Sequence, residues 1–130
     1  MKKNNNLFTI FFNNFYNYLF KKKNNILIDK SEIKNEKYSH IKSINHSTAL
    51  YTVWLLNLKR LHDLIKRNIN LENYHFVDVG CGIGIPLIYA YKNLNFKSYS
   101  GFDLISDYIS IAKKNISHSL GSHSINLFEA

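Results

Sequence analysis

Asp78, Gly80, Gly82, Gly84 and Asp103 are the residues of this chain whose types and spacing suit chemistry. The glycines alternate through Gly80-Cys81-Gly82-Ile83-Gly84, directly after the apolar run Phe76-Val77-Asp78-Val79. Glycine tolerates positive φ and lets another group approach the backbone closely. A tight turn from strand to helix needs both. Backbone N–H groups at such a helix start point into the crevice above a sheet, where nucleotide-like ligands bind. Asp103 follows Gly84 by nineteen positions, room for one helix and the return of a parallel strand. That return brings a second carboxylate beside the glycine turn, where it can accept hydrogen bonds from ribose hydroxyls.

Positioning these residues requires a strand, a turn and a helix in succession. Phe76, Val77 and Val79 are strand formers. The run is apolar apart from Asp78, which predicts a strand covered on both faces, as in a parallel sheet. Pro86, the only proline, suits the first turn of a helix, where its missing N–H costs nothing. Leu87, Ile88, Ala90 and Leu94 supply the apolar set of that helix. Tyr99-Ser100-Gly101-Phe102-Asp103 reads as the next strand, ending in the second acid. Ser106 or Asp107 then caps a helix over about 108–116, with Ile109, Ala112 and Ile116 as its stripe. Residues 117–124 read as a loop and 125–130 as a third strand. Upstream, Ser47 or Thr48 caps a long helix running to about Asn68, with Leu50, Val53, Trp54, Leu58, Leu61 and Ile65 at helical spacing.

The run Asp78-Val79-Gly80-Cys81-Gly82-Ile83-Gly84 resembles the first motif of class I S-adenosylmethionine-dependent methyltransferases, and Gly101-Phe102-Asp103 resembles their second-strand acidic motif. The resemblance covers roughly residues 46–130. It implies an α/β fold, a Rossmann-like parallel sheet flanked by helices, with S-adenosyl-L-methionine as cofactor. It also implies a cofactor-binding set of Asp78, Gly80, Cys81, Gly82, Gly84 and Asp103. In that family the glycine loop lies along the methionine part of the cofactor, the first acid orders the loop and reaches that end, and the second acid holds the ribose. The region before the first strand can reach the methionine end, which draws attention to His46-Ser47-Thr48 and Tyr51, although Ser and Thr are also preferred helix caps. The family sheet has seven strands in the order 3-2-1-4-5-7-6, and three are readable here. The first strand, central in the family, would then be an edge, which invites pairing with another chain. The readings are a fragment of a longer enzyme, a truncated gene product, or a sheet completed by a partner or by oligomerisation. Family residues that bind the methyl acceptor follow the fourth strand, so the acceptor and any catalytic base are left open.

Rival motifs fit less well. A dinucleotide fingerprint, GxGxxG, would need a glycine at Ile85 and an apolar residue at Asp78. No Gly-Lys-Ser/Thr follows the glycines, which excludes a P-loop. There is no Cys/His cluster with metal-ligand spacing, and the single cysteine, Cys81, excludes an internal disulfide. Cys81 reads as a small side chain tolerated in the loop rather than as a thiol nucleophile. A second class of function remains beside the enzyme: a non-catalytic binding protein that keeps the half-sheet and docks through another segment.

At 130 residues and 45% hydrophobic, the chain is globular rather than disordered. Its formal net charge of +8 is uneven. Residues 1–70 hold thirteen Lys/Arg against four Asp/Glu, and residues 71–130 hold four against five. The basic half suits an anionic partner such as nucleic acid, an acidic substrate or a membrane surface, or is simply a solvated lysine-rich face. Residues 1–45 read as an aromatic and basic helical extension with a linker, and 46–130 as the cofactor-binding domain. Asn13, Asn14 and Asn17 interrupt the apolar segment at 7–20, so it is neither a signal peptide nor a transmembrane span, and a cytoplasmic location is expected. As a helix, it carries Thr9, Asn13, Asn17 and Lys21 in one polar stripe, with aromatic residues over most of the rest. Such a helix packs on the domain or a partner, or makes a peripheral membrane contact. The short run Ile26-Leu27-Ile28 reads as a minor strand.

Overall fold

The structure, a computed structural model, describes residues 7–26, 54–121 and 125–130. Its elements are α1 (Leu7–Lys23), α2 (Leu55–Ile65), a 3-10 turn (Leu71–Asn73), β1 (His75–Val79), α3 (Ile85–Asn93), β2 (Ser98–Asp103), α4 (Ser106–Leu120) and β3 (Ile125–Glu129). The three strands form one parallel sheet in the order β1-β2-β3. This is the Rossmann-like α/β arrangement that the resemblance implies, with helices between successive parallel strands. Asp78 pairs with Gly101 and Gly101 with Leu127, so the first acid, the glycine before the second acid and β3 share one register row.

The core lies on one face of the sheet. Leu87, Ile88 and Ala90 of α3 are fully buried, as their spacing predicts, and Ile109, Ala112 and Ile116 of α4 join them. Tyr89 is buried as well, because α1 lays Tyr16 and Phe20 edge-on against its ring. Gly101 is the tight point of this packing. A Cβ there would stand 2.4 Å from Leu87 Cδ1 and 3.0 Å from both Cys81 Sγ and Leu127 Cδ2. Leu87 has no exposed surface to move into. We therefore expect Gly101→Ala to cost about 2 kcal/mol of stability, the scale of overpacking a close-packed core. Denaturant unfolding reads this directly, and an unchanged midpoint would mean that Leu87 repacks freely.

The sheet differs from expectation on its other face. β1 is not covered on both sides: Val77 and Val79 are 52% and 82% exposed, while Phe76 and Asp78 are half-buried. Phe128 is exposed on the same side, stacked on Phe102 at 4.9 Å between ring centroids. The cause is topological. Both crossovers run in the same direction across the sheet, and right-handed crossovers then place both helices on one face.

Three element boundaries also differ. The described helix before β1 begins at Leu55, with Trp54, predicted inside the helix, extended (φ −69°, ψ 108°) at the cap position. α4 is longer than predicted, starting at Ser106 after Ile105 and continuing to Leu120, where Gly121 at φ +68° ends it. The left-handed glycine, rather than the polar composition of 117–120, decides where that helix stops. His46, Ser47, Thr48, Tyr51, residues 27 and 28, and the boundary at residue 45 lie outside the described residues. No helix among the described residues is long and apolar enough to cross a membrane.

The largest departure is α1, which is turned inside out. Asn13 and Asn17, on its polar stripe, are buried, while Phe8, Phe11, Phe12, Phe15, Tyr18 and Leu19 are exposed. Asn17 explains the orientation. Its Oδ1 accepts the N–H of Leu55 at 3.1 Å, satisfying an orphan donor at the first residue of α2. Side chains of α2 itself supply no such cap.

Candidate cofactor site

The glycine loop connects β1 to α3 at the carboxyl end of the sheet. Gly80, Gly82 and Gly84 all take positive φ, at +78°, +52° and +82°, which is the conformation their alternation predicts. Two of these glycines have different local surroundings. A Cβ on Gly80 would meet nothing within 4 Å, so backbone conformation alone demands glycine there and space is left beside it. At Gly84 a Cβ would stand 3.2 Å from Ala112 Cβ, so this glycine also lets α3 and α4 approach.

The loop is tied to the end of β2. The N–H groups of Gly80 and Cys81 both donate to Phe102 O, at 2.8 and 2.9 Å. The Gly82 N–H donates to Asp103 Oδ2 at 2.8 Å. Asp103 Oδ1 accepts the Ile105 N–H at 2.9 Å, which sets the entry to α4. One carboxylate thus fastens the glycine loop and the next turn together. Its oxygens keep further lone pairs for a ligand. Motif spacing places Asp103 beside the loop but does not reveal this stapling role.

Asn115 is a supporting residue that sequence reasoning missed. It is fully buried on α4, and its Nδ2 donates to Ile83 O at 3.0 Å, holding the middle of the loop from below. A signal was present. Asn115 falls between the apolar Ile111 and Ala112 around the helix, where an amide is costly unless bonded.

Asp78 lies on the helix-covered face, because its partner Gly101 faces Leu87. Its Oδ2 is buried and has no hydrogen-bond partner. Burial first, and the negative charge of Asp103 second, push its carboxyl above the usual range. An unpartnered buried acceptor beside an open glycine loop fits a cationic or N–H-bearing group delivered by a ligand. Cys81 differs from the other predicted site residues. Its side chain is buried against Gly101, and its thiol is pushed up to about 12, chiefly by burial and then by Asp103 and Asp78. A buried thiol held this high is a weak nucleophile at neutral pH.

Asp78, Gly80, Gly82, Gly84 and Asp103 are therefore gathered at one end of β1 and β2. A separate surface recess, lined by residues including His62, Lys66, Arg67, Glu72 and Asn95, lies at the opposite end of the sheet. Ligands of open α/β sheets bind at the carboxyl ends of the strands, which favours the glycine loop over that recess.

No protein-family profile and no curated protein matches the chain. Among solved structures it is similar to a candidate S-adenosyl-L-methionine-dependent methyltransferase from Methanococcus maripaludis, with 17% identity and a TM-score of 0.46, over 65% of this chain and 46% of that one. It is also similar to YjhP from E. coli, with 16% identity and a TM-score of 0.46, over 72% of this chain and 34% of that one. The chain spans less than half the length of either structure. Likenesses this distant do not bear on function, which has to be argued from the site.

Proposed function

We propose that this chain is the cofactor-binding portion of an S-adenosyl-L-methionine-dependent methyltransferase. The observation that carries the reading is the buried, unpartnered Oδ2 of Asp78 beside a loop of three positive-φ glycines. A ligand with an ammonium at one end and a ribose at the other suits that pair of acids. Asp78 would receive the ammonium of the amino-acid end, and Asp103 the ribose hydroxyls. Gly80 and its neighbours would let the backbone lie along the ligand between them. When bound, S-adenosyl-L-methionine supplies an electrophilic methyl group on a sulfonium. What these residues contribute is binding and orientation, which lower the barrier of a direct displacement by holding its reactants in place. No residue here is assigned as a base, and the acceptor is left open.

The exposed aromatic face of α1 favours a second reading, a non-catalytic interaction protein built on the same half-sheet. Methyl transfer by the 130-residue chain to any acceptor would exclude it. The first test of the main reading is calorimetry with S-adenosylhomocysteine, using NAD as comparison. We expect roughly micromolar binding of the former, about 8 kcal/mol, and none of the latter. A folded chain that binds neither would overturn the cofactor reading.

A further inference from the structure

We propose that α1 is a membrane-surface helix that lays its exposed aromatic face on an anionic lipid bilayer. The inference does not rest on the cofactor reading, and either can fail without the other. At 3.6 residues per turn, Phe8, Phe11, Phe12, Phe15, Tyr18 and Leu19 fall within an arc of about 120° on α1. All six are exposed, Phe8 and Phe11 by 70% and 67%. Phe8 stacks on Phe12 and Phe11 on Phe15, so the face is a continuous aromatic ridge rather than scattered single residues. With seventeen residues the helix is about 25 Å long, which suits lying in an interface rather than spanning one.

Charge selects the occupant. The last turn of α1 holds Lys21, Lys22 and Lys23, and residues 1–28 contain five lysines and no acidic residue. Lys22 and Lys23 are exposed, and Lys22 projects from the aromatic arc itself. By contrast, Lys59 and Lys66 of the α2 region both engage Asp63, at 2.5 and 2.7 Å. A second copy of the chain fits poorly. Pairing α1 with its copy would bring together two helices that each carry Lys21–Lys23 and no acidic residue. A single-stranded nucleic acid would want cations distributed along the aromatic face, whereas here they gather at its end. Bulky apolar side chains sunk into the acyl boundary, with lysines reaching the headgroups, match the distribution seen.

The test is flotation of the 130-residue chain with vesicles of 30% phosphatidylglycerol in phosphatidylcholine, against vesicles of phosphatidylcholine alone. Binding to the anionic vesicles is expected, with partitioning reduced about thirtyfold in Lys22→Gln/Lys23→Gln, since each lysine near such a surface contributes about a factor of five. Raising the salt to 0.5 M should weaken binding in the same direction. Phe11→Asp/Phe15→Asp replaces only outward-facing side chains, so the variant should melt as the parent does yet stay with the lipid-free fraction. Equal binding by the parent and this variant would overturn the proposal. So would indifference to anionic vesicles, whether α1 then proves to mediate a dimer, to bind an oligonucleotide, or to be covered by residues 27–53 of its own chain.

Discussion

Asp103→Ala is expected to weaken S-adenosylhomocysteine binding at least tenfold and to destabilise the chain at the same time. On the proposed reading, loss of the hydrogen bonds to ribose would account for about 1.5–3 kcal/mol of affinity, the usual worth of bonds to a charged partner. The stability loss has a separate origin. The Gly82 and Ile105 N–H groups, which donate to Asp103 at 2.8 and 2.9 Å, are left without their acceptor. That costs about 2–3 kcal/mol, and the positive-φ turn at Gly82 loosens with it. Asp103→Asn keeps one acceptor oxygen and should fall between the two. Calorimetry and denaturant unfolding on the same samples separate the roles. Unchanged affinity in a folded Asp103→Ala chain would refute ribose binding, and an unchanged unfolding midpoint would refute the staple.

Asp78→Asn should move stability and affinity in opposite directions. With its Oδ2 buried and unpartnered, the ionised carboxylate costs the free chain folding energy, and the amide should recover about 1 kcal/mol. Loss of the charge should weaken cofactor binding at least tenfold. The pH dependence follows from the raised carboxyl. The folded chain holds this proton more tightly than the unfolded chain, so the cost is full above the folded pKa and disappears as pH falls toward the unfolded value. The stability gap between Asp78→Asn and the parent should therefore close as the pH drops, beginning above the usual carboxylate range. Affinity for a ligand carrying an ammonium should decline through the same window, because only the ionised form attracts it. A variant less stable than the parent at neutral pH would mean that Asp78 has a structural partner.

Local backbone chemistry was the legible part of this protein. Alternating glycines after an apolar run announce a positive-φ turn whatever surrounds them, and Gly80, Gly82 and Gly84 adopt it. Pro86 falls in the first turn of α3, where its missing donor is harmless. The spacing from Gly84 to Asp103 leaves room for one crossover, and a right-handed crossover puts the acid beside the loop. The apolar stripes of α3 and α4 follow from the same short-range regularities.

What required the tertiary structure was every choice that depends on a distant neighbour. An apolar strand looks the same whether one or both faces are covered, and β1 is covered on one because both crossovers fall on the same side. A helix with a polar stripe ordinarily turns that stripe outward. α1 turns it inward because an orphan N–H at Leu55, far along the chain, needs the Oδ1 of Asn17. Asp103 looks like a ligand-binding acid, and only the fold shows it holding Gly82 and Ile105 as well. Asn115 supports the loop through a bond to Ile83, thirty-two positions earlier. The turn and the pair of acids were readable from φ preferences, periodicity and crossover handedness, and the strand order came with the family resemblance. Burial and hydrogen-bond satisfaction are properties of the assembled chain, and they decided which face of each element is covered and what each buried polar group is for.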